Sequence, residues 1–448
     1  MTEYPHIMMD ETPLKLVLGA AVFNWPDPLL DTLDDQLYLP FVSAVSTFAL
    51  NCTPRDNSTI AAQWLRLAYH DMATHDSATG TGGLDTSIIF EFDRPQQRQD
   101  IGAGMLESLV DFLVSPNEYV GMADVIAMGA INAVVGCGGP VIPFRDLASH
   151  IASFKAQGFN ETEMISLVAC GHSLGGVRVK EYLDGTTENV LVVGSNVTTR
   201  SDLRIFSSDS NVTMQSLASP DTFNQVCSDL IGRMLDTVPS TVTLTEPIEP
   251  LDFKVTNTLL FPQGGSLAFL ATLRIIDTGL NRSVTMFWKE RTGTFCPPAG
   301  CAIPSFQVPT EDASFLATLK GVRAFKLHSF NAAIDLATSI SHFWFEVNNN
   351  DGSAPLIVGN HGANFAIDQD VLVFDPRRSS FTIGGSIMVV GVRHLSSSSM
   401  IMVLKCTPDG YTFYTSPINF KSLSNTIHAT VNGTAYSLWV PLFGAPGV

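Results

Sequence analysis

Asn57-Ser-Thr-Ile-Ala-Ala-Gln-Trp-Leu-Arg66-Leu-Ala-Tyr-His70-Asp71-Met72 is the stretch on which the reading of this chain turns. Its spacing predicts a helix over residues 57–72, with Asn57 or Ser58 capping the start by accepting a bond from an orphan backbone N–H. Ile60, Ala61, Trp64, Leu65, Leu67 and Ala68 make it apolar on more than one face, which predicts burial. Arg66 and His70 lie four residues apart and share a face about one turn from each other. A guanidinium and an imidazole inside an apolar helix are costly unless something needs them there. A neighbouring carboxylate such as Asp71 that merely satisfies the pair is the plain alternative.

At 448 residues the chain is long enough for two or three domains. Its 45 % hydrophobic content supplies sizeable cores, and a charged fraction of only 15 % argues against disorder. A net charge of −18 repels phosphate backbones, so nucleic acid is excluded as a partner. No apolar run reaches the length of a membrane span. Seven Asn-x-Ser/Thr triplets, at Asn51, Asn57, Asn160, Asn196, Asn211, Asn281 and Asn432, lean towards a secreted glycoprotein. The seven cysteines are an odd number, so at least one is free or pairs outside the chain. The apolar segment at 16–23 is short and lacks a basic lead-in, so a signal peptide is not evident.

Along the chain, residues 26–38 read as an amphipathic helix through Leu29, Leu30, Leu33 and Leu37. In the loop Thr79-Gly-Thr-Gly-Gly83-Leu-Asp85-Thr-Ser87, Asp85 and Ser87 can aim oxygens at a hard cation. With Asp71 they outline a calcium site, an ordinary Gly/Asp turn being the alternative. Two more helices are expected at 102–115 and 119–135, the second stopped by Cys137-Gly-Gly-Pro. Another is expected at 147–157, closed by Gly158. Asn160-Glu-Thr-Glu163 is a capping box opening an apolar helix, Met164 to Cys170, that ends at Gly171-His172-Ser173. A last helix at 223–235 turns Phe223, Val226, Leu230, Ile231 and Met234 inward.

Beyond about residue 240 the texture changes. Stretches at 241–245, 266–276, 283–288, 341–347, 370–374, 388–392 and 400–405 are strand-like and separated by Gly, Pro, Asn and Asp clusters. This pattern suggests one or two β-sandwiches. Cys296 and Cys301 can close a small loop. No catalytic constellation stands out there, and His342 and His361 are isolated.

Five ordered motifs now carry a resemblance. Arg66-Leu-Ala-Tyr-His70-Asp71 resembles the distal motif of the plant and fungal haem peroxidase superfamily, and Gly171-His172-Ser173-Leu-Gly its proximal motif. Gly83-Leu-Asp85-Thr-Ser87 resembles the distal calcium loop. Ala123-Asp124-Val-Ile-Ala-Met with Cys137-Gly-Gly-Pro resembles a buried structural helix of that family. The similarity spans roughly residues 25–240. Secreted fungal members look closest, because Cys52 and Cys137 fall where those enzymes tie two helices by a disulfide.

The resemblance implies a mainly α peroxidase-like domain at 25–240; residues 1–24 are then an N-terminal extension, and the strand pattern read above makes 241–448 an all-β, sandwich-like region of one or two sandwiches. It implies haem b and calcium as cofactors, with hydrogen peroxide and a small organic, phenolic-type reductant as partners. His172 would be the axial ligand of the haem iron. A carboxylate would orient its other nitrogen; Asp202 is preferred to Asp209, which lies beside the Asn211 sequon. His70 would move the peroxide protons and Arg66 would stabilise developing negative charge. Asp71, Gly83, Asp85 and Ser87 would hold calcium, and Ser173 matches a ligand of a second calcium whose partners are not found.

The chain also departs from the family. After Arg145 a helix is expected to begin directly at Asp146, without the usual proline-rich loop. After Arg178 the excursion that packs the proximal side is missing. Tyr69 stands at the distal aromatic position, and the residue orienting the distal His is not evident, Gln96 and Gln97 being nearest. These gaps keep open a second reading, a catalytically degenerate extracellular binding or structural protein on a peroxidase scaffold. No manganese site is apparent.

Overall fold

The computed structural model describes residues 23–24, 28–39, 45, 52–56, 58–91, 103–113, 115–117, 119–141, 145–147, 159–174, 178–195, 200–292, 296, 301–379, 386–393, 411–418, 424–431 and 434–441. The expected helix at 147–157, the strand at 400–405, Gln96, Gln97 and Cys406 lie wholly or almost wholly outside them. The chain divides into two units. A helical unit comprises residues 27–252 with 311–325, and a β unit comprises 1–26, 253–310 and 326–448.

In the helical unit, α1 is Pro28–Tyr38, α2 Ile60–Met72, α3 Ala103–Phe112, α4 Met122–Gly136 and α5 Glu161–Leu174. The short α6 is Ser201–Phe206, and α7 is Pro220–Leu235. Helix α2 starts later than its sequence suggests. Ser58–Thr59 pairs with Pro54–Arg55 as a small antiparallel ladder, and Thr59, not Asn57 or Ser58, is the cap. Its hydroxyl accepts from the Ala62 N–H at 3.0 Å.

Helix α4 is apolar all round and buried along nearly its whole length, as a helix inside a bundle must be. It packs on α2 and α3. A Cβ on Gly129 would meet the Phe112 ring at 2.4 Å, and Phe112 in turn packs on Trp64 with ring centroids 4.9 Å apart. Disulfides join Cys52 to Cys137 and Cys170 to Cys227, the second tying α5 to α7.

The helix expected from Asp146 is not what begins there. Arg145–Leu147 is a strand, paired antiparallel with Leu244–Pro247 about a hundred residues on. Residues 311–325 also return to this unit. Ser314 accepts from Ala317 N–H to start a short helix, Phe315–Leu319, and donates its hydroxyl to the Leu37 carbonyl at 2.7 Å. It thereby satisfies an orphan carbonyl at the end of α1.

The β unit contains a sandwich. One sheet pairs, in order, Phe23–Asn24, Phe365–Ile367, His342–Asn348, Ser283–Lys289 and Cys301–Pro304. The other runs Thr310–Asp312, Ala324–Ile334, Ser266–Ile276 and Phe253–Gln263. Alternation along His342–Asn348 sends Phe343, Phe345 and Val347 inward, against Phe269, Leu273 and Phe330 of the facing sheet. A three-stranded sheet and the hairpin Ser424–Val431/Thr434–Pro441 share a smaller core around Leu372, Phe374, Met388, Val390 and Leu438. Cys296 and Cys301 form the third disulfide.

Candidate active site

Helix α5 is built to carry His172. Asn160 and Glu163 cap its start reciprocally, at 2.9 and 3.0 Å. Ile165 and Ala169 are buried in a cluster with Phe206, Met214 and Leu217. The helix runs on past Cys170 to Leu174, so His172 stands in its last turn. Arg233 of α7 donates to Glu163 at 2.6 Å, which with the Cys170–Cys227 bridge fixes α5 against α7.

The same cluster positions the carboxylate. Phe206, fully buried, anchors α6, and Asp202 lies in the first turn of that helix with no exposed surface. His172 Nδ1 donates to Asp202 Oδ2 at 2.5 Å. Asp209, the rival, accepts instead from the backbone N–H of Thr213 at 2.8 Å and from its hydroxyl at 2.5 Å. The His172 side chain is 42 % exposed. With Nδ1 engaged, Nε2 is the ring atom left to meet a ligand.

Helix α2 places the other pair differently from expectation. It is buried through Ala61, Trp64, Leu65, Leu67 and Ala68, but Arg66 is exposed and His70 half-buried. The two do not sit in the apolar interior. Tyr69 meets the His70 ring edge-on with centroids 5.8 Å apart, and burial raises its phenol above the usual tyrosine range. Helices α2 and α5 pack against each other.

Asp71 is wholly buried and points away from solvent into the glycine loop. Its Oδ2 accepts from the N–H groups of Asp85 at 3.0 Å and Thr86 at 2.7 Å, and its Oδ1 from Ile88 at 2.9 Å. Burial pushes its carboxyl up to about 6, partly offset by those donors. Asp85 is exposed and takes the Ser87 N–H at 2.9 Å. Gly83, at φ +113°, sits so close to the backbone that a Cβ would meet the Thr237 carbonyl at 2.7 Å. Ser173 donates its hydroxyl back to the Ala169 carbonyl at 2.7 Å within its own helix. The Asp71 oxygens and one Asp85 oxygen thus accept backbone amides of the loop.

Two loop residues escaped the sequence reading. The Thr74 hydroxyl donates to the Asp71 carbonyl and accepts from Gly83 N–H at 3.1 Å. His75, buried, brings Nδ1 within 3.1 Å of the Gly82 carbonyl. His75 lies four residues after Asp71, the spacing that could have drawn attention to it.

The family model described as peroxidase matches residues 46–146. That span holds Arg66, His70 and the glycine loop and ends before His172. A WSC domain-containing protein of Arthroderma benhamiae is 30 % identical over 395 aligned positions, covering 73 % of this chain and 53 % of the relative. A putative heme-binding peroxidase of Yarrowia lipolytica is 25 % identical over 148 positions, 28 % of this chain and 50 % of the relative. The peroxisomal L-ascorbate peroxidase 5 of Arabidopsis thaliana is 30 % identical over 132 positions, 25 % of this chain and 46 % of the relative. The chain thus spans about half the length of the curated relatives it matches.

Proposed function

We propose, for a chain that belongs to the plant and fungal haem peroxidase superfamily, that the helical unit reduces hydrogen peroxide at the expense of a small organic donor of phenolic type. The observation that carries this reading is the 2.5 Å contact between His172 Nδ1 and the fully buried Asp202. A buried carboxylate on one imidazole nitrogen fixes the tautomer and makes the other nitrogen a stronger donor. The donor set fits haem: His172 Nε2 would hold the iron, which when bound supplies the redox chemistry. Asp202 keeps the ring oriented and takes up the Nδ1 proton's hydrogen bond. His70 would accept a proton from the peroxide and return it to the departing oxygen. Arg66 would oppose the negative charge that develops there.

No calcium step is carried. An extracellular, glycosylated and fungal setting is the context we favour: three disulfides form, and Asn160 and Asn281 of the sequons are exposed. Among the described residues no helix is long and apolar enough to cross a membrane.

One observation favours the degenerate-scaffold alternative. Arg145–Leu147, after which the resemblance leads one to expect a proline-rich loop, is spent on a strand with Leu244–Pro247. Peroxide turnover of the haem-loaded chain separates the two readings. His70→Ala and Arg66→Ala should each lower it roughly 10²-fold or more. Turnover unchanged by both substitutions, or none in the parent, would support the alternative.

A further inference from the structure

The sandwich of the β unit has a cavity of about 210 Å³ where the chain crosses from one sheet to the other, between Ser266–Ile276 and Ser283–Lys289. Ile275, a core residue, lines it together with Leu280 and Val308, both nearly half exposed. Arg282, Lys326 and His328 supply its polar wall. Alternation along Ala324–Ile334 sends Phe330, Ala332 and Ile334 into the core, and the same parity turns Lys326 and His328 to the inner face at this end of the strand.

These three side chains keep donor capacity in hand. Arg282 donates Nε to the Asn349 side chain at 3.0 Å and Nη1 to the Ile276 carbonyl at 3.4 Å, which leaves Nη2. Lys326 Nζ donates to the Thr310 hydroxyl at 2.6 Å and pairs with Asp277 at 3.4 Å, which leaves one of its three hydrogens. His328, only 2 % exposed, meets the Ser305 hydroxyl through Nδ1 at 3.3 Å, and among the described residues its Nε2 has no partner. A serine hydroxyl that donates to Nδ1 puts the ring proton on Nε2, so all three groups offer an N–H.

The charges decide what those donors fit. Asp277 is the one acid on the wall, and it is already held by Lys326 and by the Gly279 N–H at 2.9 Å. The charges that act on His328, those of Arg282 and Lys326, are both positive. Such a wall disfavours a cation and strengthens each hydrogen bond to an anion. Ile275, Leu280 and Val308 offer apolar contact that a hydrated phosphate does not use. A carboxylate on a hydrocarbon body presents two acceptor oxygens to the donors and buries the body against those three residues. The volume lies below the roughly 300–1,000 Å³ of sites for drug-sized ligands, which limits that body to a short chain or a single ring. We propose that this cavity binds a small carboxylate with an apolar body, a short aliphatic or benzoic-type acid, through Arg282, Lys326 and His328.

The test uses the full chain with isotope-labelled histidine. Butyrate and benzoate are the probes, butyramide and benzamide their neutral counterparts, and inorganic phosphate the anion without an apolar body. Calorimetry and saturation-transfer NMR measure affinity. The ring signal of His328, identified by its loss in His328→Gln, reports where the probe sits and separates this cavity from any site in the helical unit. At least one carboxylate should bind with a Kd on the order of 1 mM and shift the His328 signal. The amides and phosphate should bind about tenfold more weakly or worse. Arg282→Gln and Lys326→Gln should each weaken carboxylate binding about tenfold. Arg282→Gln also gives up the contact to Asn349, so Lys326→Gln, at a side chain 36 % exposed, is the variant expected to keep the melting temperature within ~2 °C of the parent. The proposal is overturned if neither carboxylate binds, if the bound acid leaves the His328 signal unmoved, if an amide or phosphate binds as tightly, or if Lys326→Gln binds as the parent does.

Discussion

At the scale of single residues, the account rests on what Asp202 does to His172. The carboxylate has no exposed surface, while the imidazole is 42 % exposed, so the pair presents one ring nitrogen outward and hides the other. Asp202→Asn keeps the shape and removes the charge. It should lower haem-dependent peroxide turnover by roughly 10–100-fold. Rapid-mixing kinetics on the haem-loaded variant checks this, and an unchanged rate would mean that the contact is structural only. The motifs around Arg66, His70 and His172 were legible because each is a short local pattern. Their surroundings were not. The apolar count around Arg66 suggested an interior position, yet its place on the helix faces outward. The preference for Asp202 over Asp209 leaned on the likeness of Ser201-Asp202 and the apolar Ile205 to the family's segment, and on the Asn211 sequon needing an open surface. In the fold Asn211 is half-buried and accepts from the Tyr182 hydroxyl at 2.6 Å, so that second argument does not hold, and it is the packing of Phe206 that places Asp202.

At the scale of elements, the glycine loop is stapled to α2 by Asp71. Asp71→Ala would leave three amides without their acceptor and should destabilise the helical unit by roughly 3 kcal/mol or more. Thermal unfolding measures that loss. The same melting curve should move by less than ~2 °C when calcium is added or chelated. A clear calcium-dependent rise would show that the loop reorganises around an ion. In the β unit, burial and the charges of Arg282 and Lys326 lower His328 from an ordinary 6.5 to about 4. The unfolded chain therefore binds the extra proton between those values, so stability is complete above pH 6.5 and falls as the pH drops through the window. The full difference is on the order of 3 kcal/mol, and His328→Gln should flatten the pH dependence of unfolding. Elements that are long, mostly apolar runs, such as α4 and Ser266–Ile276, were legible. Arg145–Leu147 was not, since its strand partner lies about a hundred residues away. Phe253–Gln263 was hidden by the register shift between Thr256 and Leu259, which breaks the alternation.

At the scale of the whole molecule, the bridges divide unevenly. Cys52–Cys137 and Cys170–Cys227 close separations of 85 and 57 residues in the helical unit, whereas Cys296–Cys301 closes only 5 in the β unit. The chain-entropy relation assigns about 4–5 kcal/mol to each of the first two and about 2 kcal/mol to the third. Calorimetry with and without reductant should show the larger loss in the transition that carries the helical signal. The seven cysteines showed that pairing was incomplete, and the family likeness implied the first bridge. The second followed only from α5 and α7 being neighbours, which no local pattern states.

The central claim is that His172 offers Nε2 to haem iron while Asp202 holds Nδ1. Titrating haem into the full chain and recording the visible spectrum tests it most directly. A Soret band should saturate at one haem per chain and be lost or shifted in His172→Ala. A folded parent that takes up no haem, or a His172→Ala variant with the parent's band, would contradict it.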